Sequence, residues 1–181
     1  MSEQSHDHPD VAVFPPVIPL AALALACGLQ WLIPLGLIFA FSIVWRIGVG
    51  TIAVIAVIAG ALITIKGGLT LMARGTNVNP LGPTTVLETA GIYSWTRNPM
   101  YVGLAPVMCG IALIFALDWL LLLVAPSYLI LHFCVIKCEE QYLERKFGEE
   151  YRRYKARVPR YVPLFAKRAP LQSKSDSHQE I

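Results

Sequence analysis

Up to Lys137 the chain consists largely of long apolar stretches almost free of charge, and this limits the folds open to it. About 20 apolar residues in a helix cross the hydrocarbon core of a bilayer. Of the 181 residues, 55% are hydrophobic and 15% charged, where a soluble domain carries about a quarter charged residues. Most of the charge lies at or after Lys137. The pattern predicts an all-α, polytopic integral membrane protein with four transmembrane helices and a C-terminal amphipathic helix at the interface.

The spans are delimited by breakers. The first runs from Val17 to Ile33, between Pro15-Pro16 and Pro34. Leu35–Trp45 is too short to cross alone and would extend that span past a proline kink or form a re-entrant turn. The second runs from Gly48 to Met72, with Lys66 placed to snorkel to the headgroups. A polar connector, Ala73–Asn98, carries Gly75, Asn79-Pro80, Gly82-Pro83 and Gly91; a connection this long is more often functional than idle. Pro99–Leu117 is the third span, Asp118 marks a tight hairpin, and Trp119–Ile136 is the fourth.

Four spans put both termini and the connector on one side. That side collects Arg74, Arg97 and every basic residue from Lys137 on, while the other holds Arg46, so the shared side is expected to be cytoplasmic. A net charge of +3, with basic residues beside apolar segments, speaks for membrane lipids as partners and against nucleic acid. Cys27, Cys109, Cys134 and Cys138 lack the spacing of a metal finger, and no metal is expected. Met1–Asp10 has no Lys or Arg and does not read as a secretory signal. The expected organisation is a polar tail over 1–14, a membrane domain over 15–165 with its binding part at about 84–165, and a disordered tail over 166–181.

Beyond the fourth span Leu143, Phe147, Tyr151, Tyr154 and Val158 recur at helical spacing, with Glu144, Arg145, Arg152, Arg153 and Lys155 opposite. One amphipathic helix is therefore expected, lying along the interface or folded over the cytosolic mouth. Pro159 ends it, and residues from Arg160 to Phe165 would tuck back towards the bilayer.

The remaining polar groups are candidates for chemistry, because ionisable groups in or beside a span need partners. His132, Glu139 and Leu143 are spaced seven and four apart and so share a helix face, with Glu140 one position round. A lone histidine in a span can also simply bond a neighbouring carbonyl. Arg97 precedes Pro99 at a helix start, where free N–H groups favour an anion such as a carboxylate. It would serve equally as a cytoplasmic anchor. Tyr101 is either an interfacial aromatic or a face for a cation.

The stretch from Thr84 to Leu87 and from Gly91 through Thr96-Arg97-Asn98-Pro99-Met100-Tyr101-Val102-Gly103, followed by Glu139-Glu140-Gln141-Tyr142-Leu143 through Gly148-Glu149-Glu150-Tyr151 and Tyr154–Pro159, resembles the isoprenylcysteine carboxyl methyltransferase family. That family is related to the phospholipid methyltransferases. The resemblance covers roughly residues 50–165. It implies a multispan enzyme that uses S-adenosylmethionine in a pocket facing the cytosol and methylates a lipophilic small-molecule or lipid-linked acceptor. The implied cofactor-binding residues are Arg97, Asn98, Tyr101, Gly103, His132, Glu139, Glu140 and Leu143. Where the family often has Arg-His-Pro, this chain has Arg97-Asn98-Pro99, which removes a titratable group but keeps a hydrogen-bonding one.

In this reading Glu139 or Glu140 takes the ammonium and ribose hydroxyls and Arg97 the carboxylate. Tyr101 or Tyr154 faces the sulfonium or adenine. Tyr154 and Arg157 are the candidates for the catalytic side, with Arg157 orienting an anionic acceptor or else snorkelling from the amphipathic helix. The acceptor would be an isoprenylcysteine-type carboxylate, a thiol or a lipid headgroup. Two other readings compete. A nicotinamide-dependent reductase of the sterol type has a related pocket but more spans than this chain. A non-catalytic transporter or assembly protein would not need the Arg97, Glu139 and Tyr154 constellation.

Overall fold

A computed structural model describes residues 13–38, 43–79 and 82–161, with the side chains of 43–45 left aside. Residues 1–12 of the expected N-terminal tail, the expected tail over 166–181 and the continuation from 162 to 165 lie outside these residues.

Among the described residues six α-helices follow in order: α1 (Val17–Leu32), α2 (Ile43–Ala73), α3 (Pro99–Ile114), α4 (Asp118–Leu131), α5 (Lys137–Phe147) and α6 (Glu149–Arg157). A 3₁₀ turn, Gly91–Ser94, lies in the connector, and a π-helical turn, His132–Ile136, joins α4 to α5. The described residues contain no strand. Two helical stretches, Arg46–Ala73 and Asp118–Phe147, are long and apolar enough to cross a membrane, and α1 and α3 are shorter apolar helices. The 16 residues of each reach about 24 Å at 1.5 Å per residue. Of Leu35–Trp45, residues 35–38 follow the end of α1 at Leu32 and residues 43–45 begin α2, while residues 39–42 lie outside the described residues.

The helices stand side by side in the order α2, α3, α4, α1. Small residues set the α2–α3 contact. A Cβ on Gly103 would run into the Gly60 carbonyl and Thr64, and one on Gly110 into the Ala53 carbonyl. Only glycine lets the two backbones approach this closely. Thr64 Oγ1 also donates to the Met100 carbonyl at 3.1 Å. On the other side Ala22 and Ala26 of α1 pack with Met108, Ala112 and Leu120, and Ile18 packs with Tyr101, Leu131, Val135 and Ile136. Outward faces carry exposed Ile52, Ile55, Ile58, Leu62 and Ile65 on α2 and Leu122, Leu129 and Ile130 on α4. Such continuous apolar surface suits a lipid environment rather than water.

Asp118 does more than mark a hairpin. It is buried, accepts from the Ile38 amide at 3.0 Å and from Gln30 Nε2 at 3.3 Å, and so pins the segment after α1 to the start of α4.

The expected single amphipathic helix is two. Gly148 has φ +53°, a conformation open to glycine and costly for other residues, and the chain bends there between α5 and α6. The apolar face survives the bend: Tyr151, Tyr154 and Val158 form one buried cluster with Leu87, Leu143 and Phe147. Because Leu87 belongs to the connector, α6 is folded over the mouth of the bundle rather than laid flat on a bilayer.

Candidate binding site at the mouth of the bundle

The connector is tied down from both sides. Buried Thr76 accepts through Oγ1 from the Thr85 amide at 3.0 Å. Buried Glu88 pairs with Arg74 Nε at 2.9 Å and accepts from the Ala90 amide at 2.7 Å. The Thr84 amide donates to the Tyr142 hydroxyl at 3.1 Å, which joins the connector to α5. Between connector, α3, α5 and α6 lies a cavity of about 100 Å³. Arg97, Asn98, Tyr101, Glu139, Glu140, Leu143 and Tyr154 all line it, together with Tyr93 and Tyr151.

Four of these form two pairs. Tyr101 donates its hydroxyl to Glu139 Oε1 at 2.6 Å, linking α3 to α5. Arg97 Nη1 lies 3.1 Å from Glu140 Oε1, with both side chains 8% exposed. Arg97 Nη1 also donates to the Tyr151 hydroxyl at 3.3 Å. Burial, with the Glu140 charge nearby, pushes the Tyr151 phenol up to about 12, so it stays protonated. The Tyr154 phenol is raised as well, chiefly by burial. Its hydroxyl donates to the Tyr93 carbonyl at 2.8 Å, which leaves the ring as the part of Tyr154 turned to other uses.

The segment after α6 closes the arrangement. The Arg97 amide donates to the Pro159 carbonyl at 2.9 Å, and Thr96 Oγ1 and Asn98 Nδ2 donate to the Arg160 carbonyl at 2.9 and 3.2 Å. Arg160 itself grips Glu140 with two bonds, Nε to Oε1 at 2.9 Å and Nη2 to Oε2 at 2.6 Å. Asn98 thus holds this strap through its amide, a task that needs no titration.

Three residues expected at the site lie elsewhere. Gly103 is at the α2–α3 contact. Arg157 is exposed and donates Nε back to the Arg153 carbonyl at 3.2 Å. His132 pairs through Nδ1 with the Tyr161 hydroxyl at 2.6 Å. The expected face shared by His132 and Glu139 is undone by the π turn between them. Seven residues of α-helix bring a side chain back to nearly the same direction, and one residue absorbed in a π turn rotates the rest of the helix by about 100°. Glu140 therefore falls below His132, and the consecutive residues Arg160 and Tyr161 meet that pair. Glu139 is turned to Tyr101.

Arg160, Glu88, Tyr93 and Thr76 escape a reading of the sequence. Arg160 sits in a basic run that topology alone explains, and Glu88 is a single acid without a periodic neighbour.

The fold and its polar mouth define a class of helical proteins with an apolar exterior and a charged cavity at one end. Residues 49–150, more than half of the chain, match the family of phospholipid methyltransferases, and the chain belongs to that family. This places it among the membrane methyltransferases, in the grouping of the isoprenylcysteine enzymes that its motifs resemble. Searches of curated proteins and of solved structures gave no match.

Proposed function

We propose that the protein is a multi-pass membrane enzyme that binds S-adenosylmethionine at the bundle mouth and methylates a lipophilic acceptor. The observation that carries this is the convergence of Arg97, Tyr101, Glu139 and Glu140 on one cavity. The donor set fits the amino-acid end of that molecule. Arg97 Nε is buried with no hydrogen-bond partner among the described residues, and such a donor normally finds an acceptor; a ligand carboxylate would supply one. Glu139, oriented by Tyr101, would accept from an ammonium or from ribose hydroxyls. Leu143, Met100 and the Tyr154 ring supply apolar wall.

The cavity is smaller than the 300–1,000 Å³ usual for a small-molecule site, and Arg97 and Glu140, which line it, are paired with each other. A zwitterionic ligand would exchange the Arg97–Glu140 pair for its own contacts, opening the space as it enters. When bound, S-adenosylmethionine supplies an activated methyl group for in-line displacement. The chain's part is then to align the reactants and exclude water. A carboxylate acceptor needs no base, while a thiol or amine would have to lose a proton. Arg157, on the exposed face of α6, would serve an anionic acceptor only from outside the cavity.

A second feature supports a lipophilic acceptor. An apolar groove of about 650 Å³ lies between α1 and α2, with α3 as its floor, and shares Val78, Met100 and Tyr101 with the polar cavity. An acyl or prenyl chain lying there would bring its polar end to Tyr101. With basic residues gathered at the mouth, that end of the bundle and both termini would face the cytosol.

The test is calorimetric binding of S-adenosylmethionine to detergent-purified, lipid-supplemented protein, beside an Arg97→Ala/Glu139→Ala double variant. Binding by the wild type that the double variant loses supports the assignment. A folded wild type that binds nothing refutes it.

A further inference from the structure

Glu140 is shared by two guanidinium groups, and they hold it unequally. Arg160 makes a two-point fork to both carboxylate oxygens, at 2.9 and 2.6 Å. Arg97 reaches only Oε1, at 3.1 Å, through Nη1. A bidentate arginine–carboxylate pair is the stronger and more directional of the two contacts. Two cations against one carboxylate leave the trio with an excess positive charge. The neighbouring carboxylate, Glu139, is held by Tyr101 instead. The excess falls on Arg97, whose Nε is the buried donor with no partner among the described residues.

We propose that Arg160 is a positioning residue that keeps Arg97 available for a ligand carboxylate. By satisfying Glu140 from the strap side, it prevents Arg97 and Glu140 from closing into a neutral pair of their own. Arginine in that neutral pair would have little reason to exchange one carboxylate for another. Arg160 lies beyond the matched residues 49–150. Its place is fixed by three bonds independent of its side chain: the Thr96 and Asn98 side chains to its carbonyl, and the Arg97 amide to the carbonyl of Pro159. The strap, anchored on the loop that carries Arg97, therefore delivers the guanidinium to Glu140. Its backbone can stay in place when the side chain is changed.

This assignment rests on the methyl-donor reading above, and two ligands separate the two claims. S-adenosylmethionine and its decarboxylated analogue differ only in the carboxylate that Arg97 would take. Calorimetric Kd values for both would be measured on wild type, Arg160→Met and Arg160→Lys, with the thermal midpoint of each protein as a check on folding. Arg160→Met is expected to weaken S-adenosylmethionine by about tenfold, the scale of one charge-assisted contact, while the decarboxylated analogue changes by less than about twofold. Arg160→Lys, which keeps the charge but not the fork, should fall between. Equal losses for both ligands would mean that Arg160 only supports the fold of the mouth, and no loss for either would mean that it does nothing for the site; each overturns the assignment. If wild type binds neither ligand, the methyl-donor reading fails and the role of Arg160 with it. Wild-type binding with an unselective Arg160→Met overturns the role alone.

Discussion

Tyr101 and Glu139 are joined by a 2.6 Å hydrogen bond between residues 38 positions apart, one in the first turn of α3 and the other in the first turn of α5. Both residues line the cavity, and the bond fixes which way the Glu139 carboxylate faces. The Tyr101 carbonyl is itself bonded by the Tyr128 hydroxyl, so the anchor of this pair is tied to α4 as well.

Tyr101→Phe should leave Glu139 without its donor inside the mouth. A buried hydrogen-bonding group deprived of its partner costs about 1–3 kcal/mol. We expect a lower thermal midpoint in detergent and weaker S-adenosylmethionine binding, measured together by scanning fluorimetry and calorimetry. Unchanged values for both would show that Glu139 is oriented by something else.

Gly103→Ala separates packing from ligand contact. The added Cβ meets the Gly60 carbonyl, which is backbone and cannot swing aside. Overpacking of this kind costs about 1–3 kcal/mol. The expected result is a loss of thermal stability and yield, with the Kd for S-adenosylmethionine in the remaining folded protein close to wild type. A folded, fully stable variant with lost binding would place Gly103 at the ligand after all.

Asp118→Ala removes the acceptor for the Ile38 amide and Gln30 at the end of the bundle away from the cavity. The stranded amide should lower stability by about 1–3 kcal/mol. Proteolysis of the α1–α2 connection should quicken while methyl-donor binding is retained. Resistance equal to wild type would remove Asp118 as the pin of that connection.

Tyr151 gives a pH signature. Its phenol is raised from about 10 to about 12 in the folded protein. Between these values the unfolded chain releases the proton while the folded chain keeps it, so stability present below pH 10 declines as pH rises towards 12. Tyr151→Phe should flatten part of that decline in an alkaline melting series. A variant whose melting tracks the wild-type slope would assign the decline to other groups, such as Tyr93 and Tyr154, which burial also raises.

The positions of α1 to α4 were legible because local signals bound each of them, whereas the division between α5 and α6 was not. Pro15-Pro16, Pro99 and the glycine-rich connector mark starts and stops, and apolar runs give the lengths. Arg97, Tyr101, Glu139 and Glu140 were legible as candidates because polar residues at the end of an apolar helix need partners, and few others compete for that place. The helical spacing of Leu143, Phe147, Tyr151, Tyr154 and Val158 likewise foretold a shared apolar face, and these residues do meet in one cluster.

Tertiary structure alone decided how these parts are turned and joined. Spacing reports a helix face only while the hydrogen-bond register is unbroken, and the π turn His132–Ile136 breaks it, sending Glu139 to Tyr101 and Glu140 to Arg160. The left-handed Gly148 folds α6 over the mouth instead of continuing α5. Gly103 became a packing residue because α2 lies against α3, a neighbour relation that no local pattern carries. Arg160 entered the site because the strap after α6 returns to the loop that begins α3. Local sequence sets the conformation of each segment; pairings between distant segments arise only when burial selects the one arrangement that satisfies their charges together.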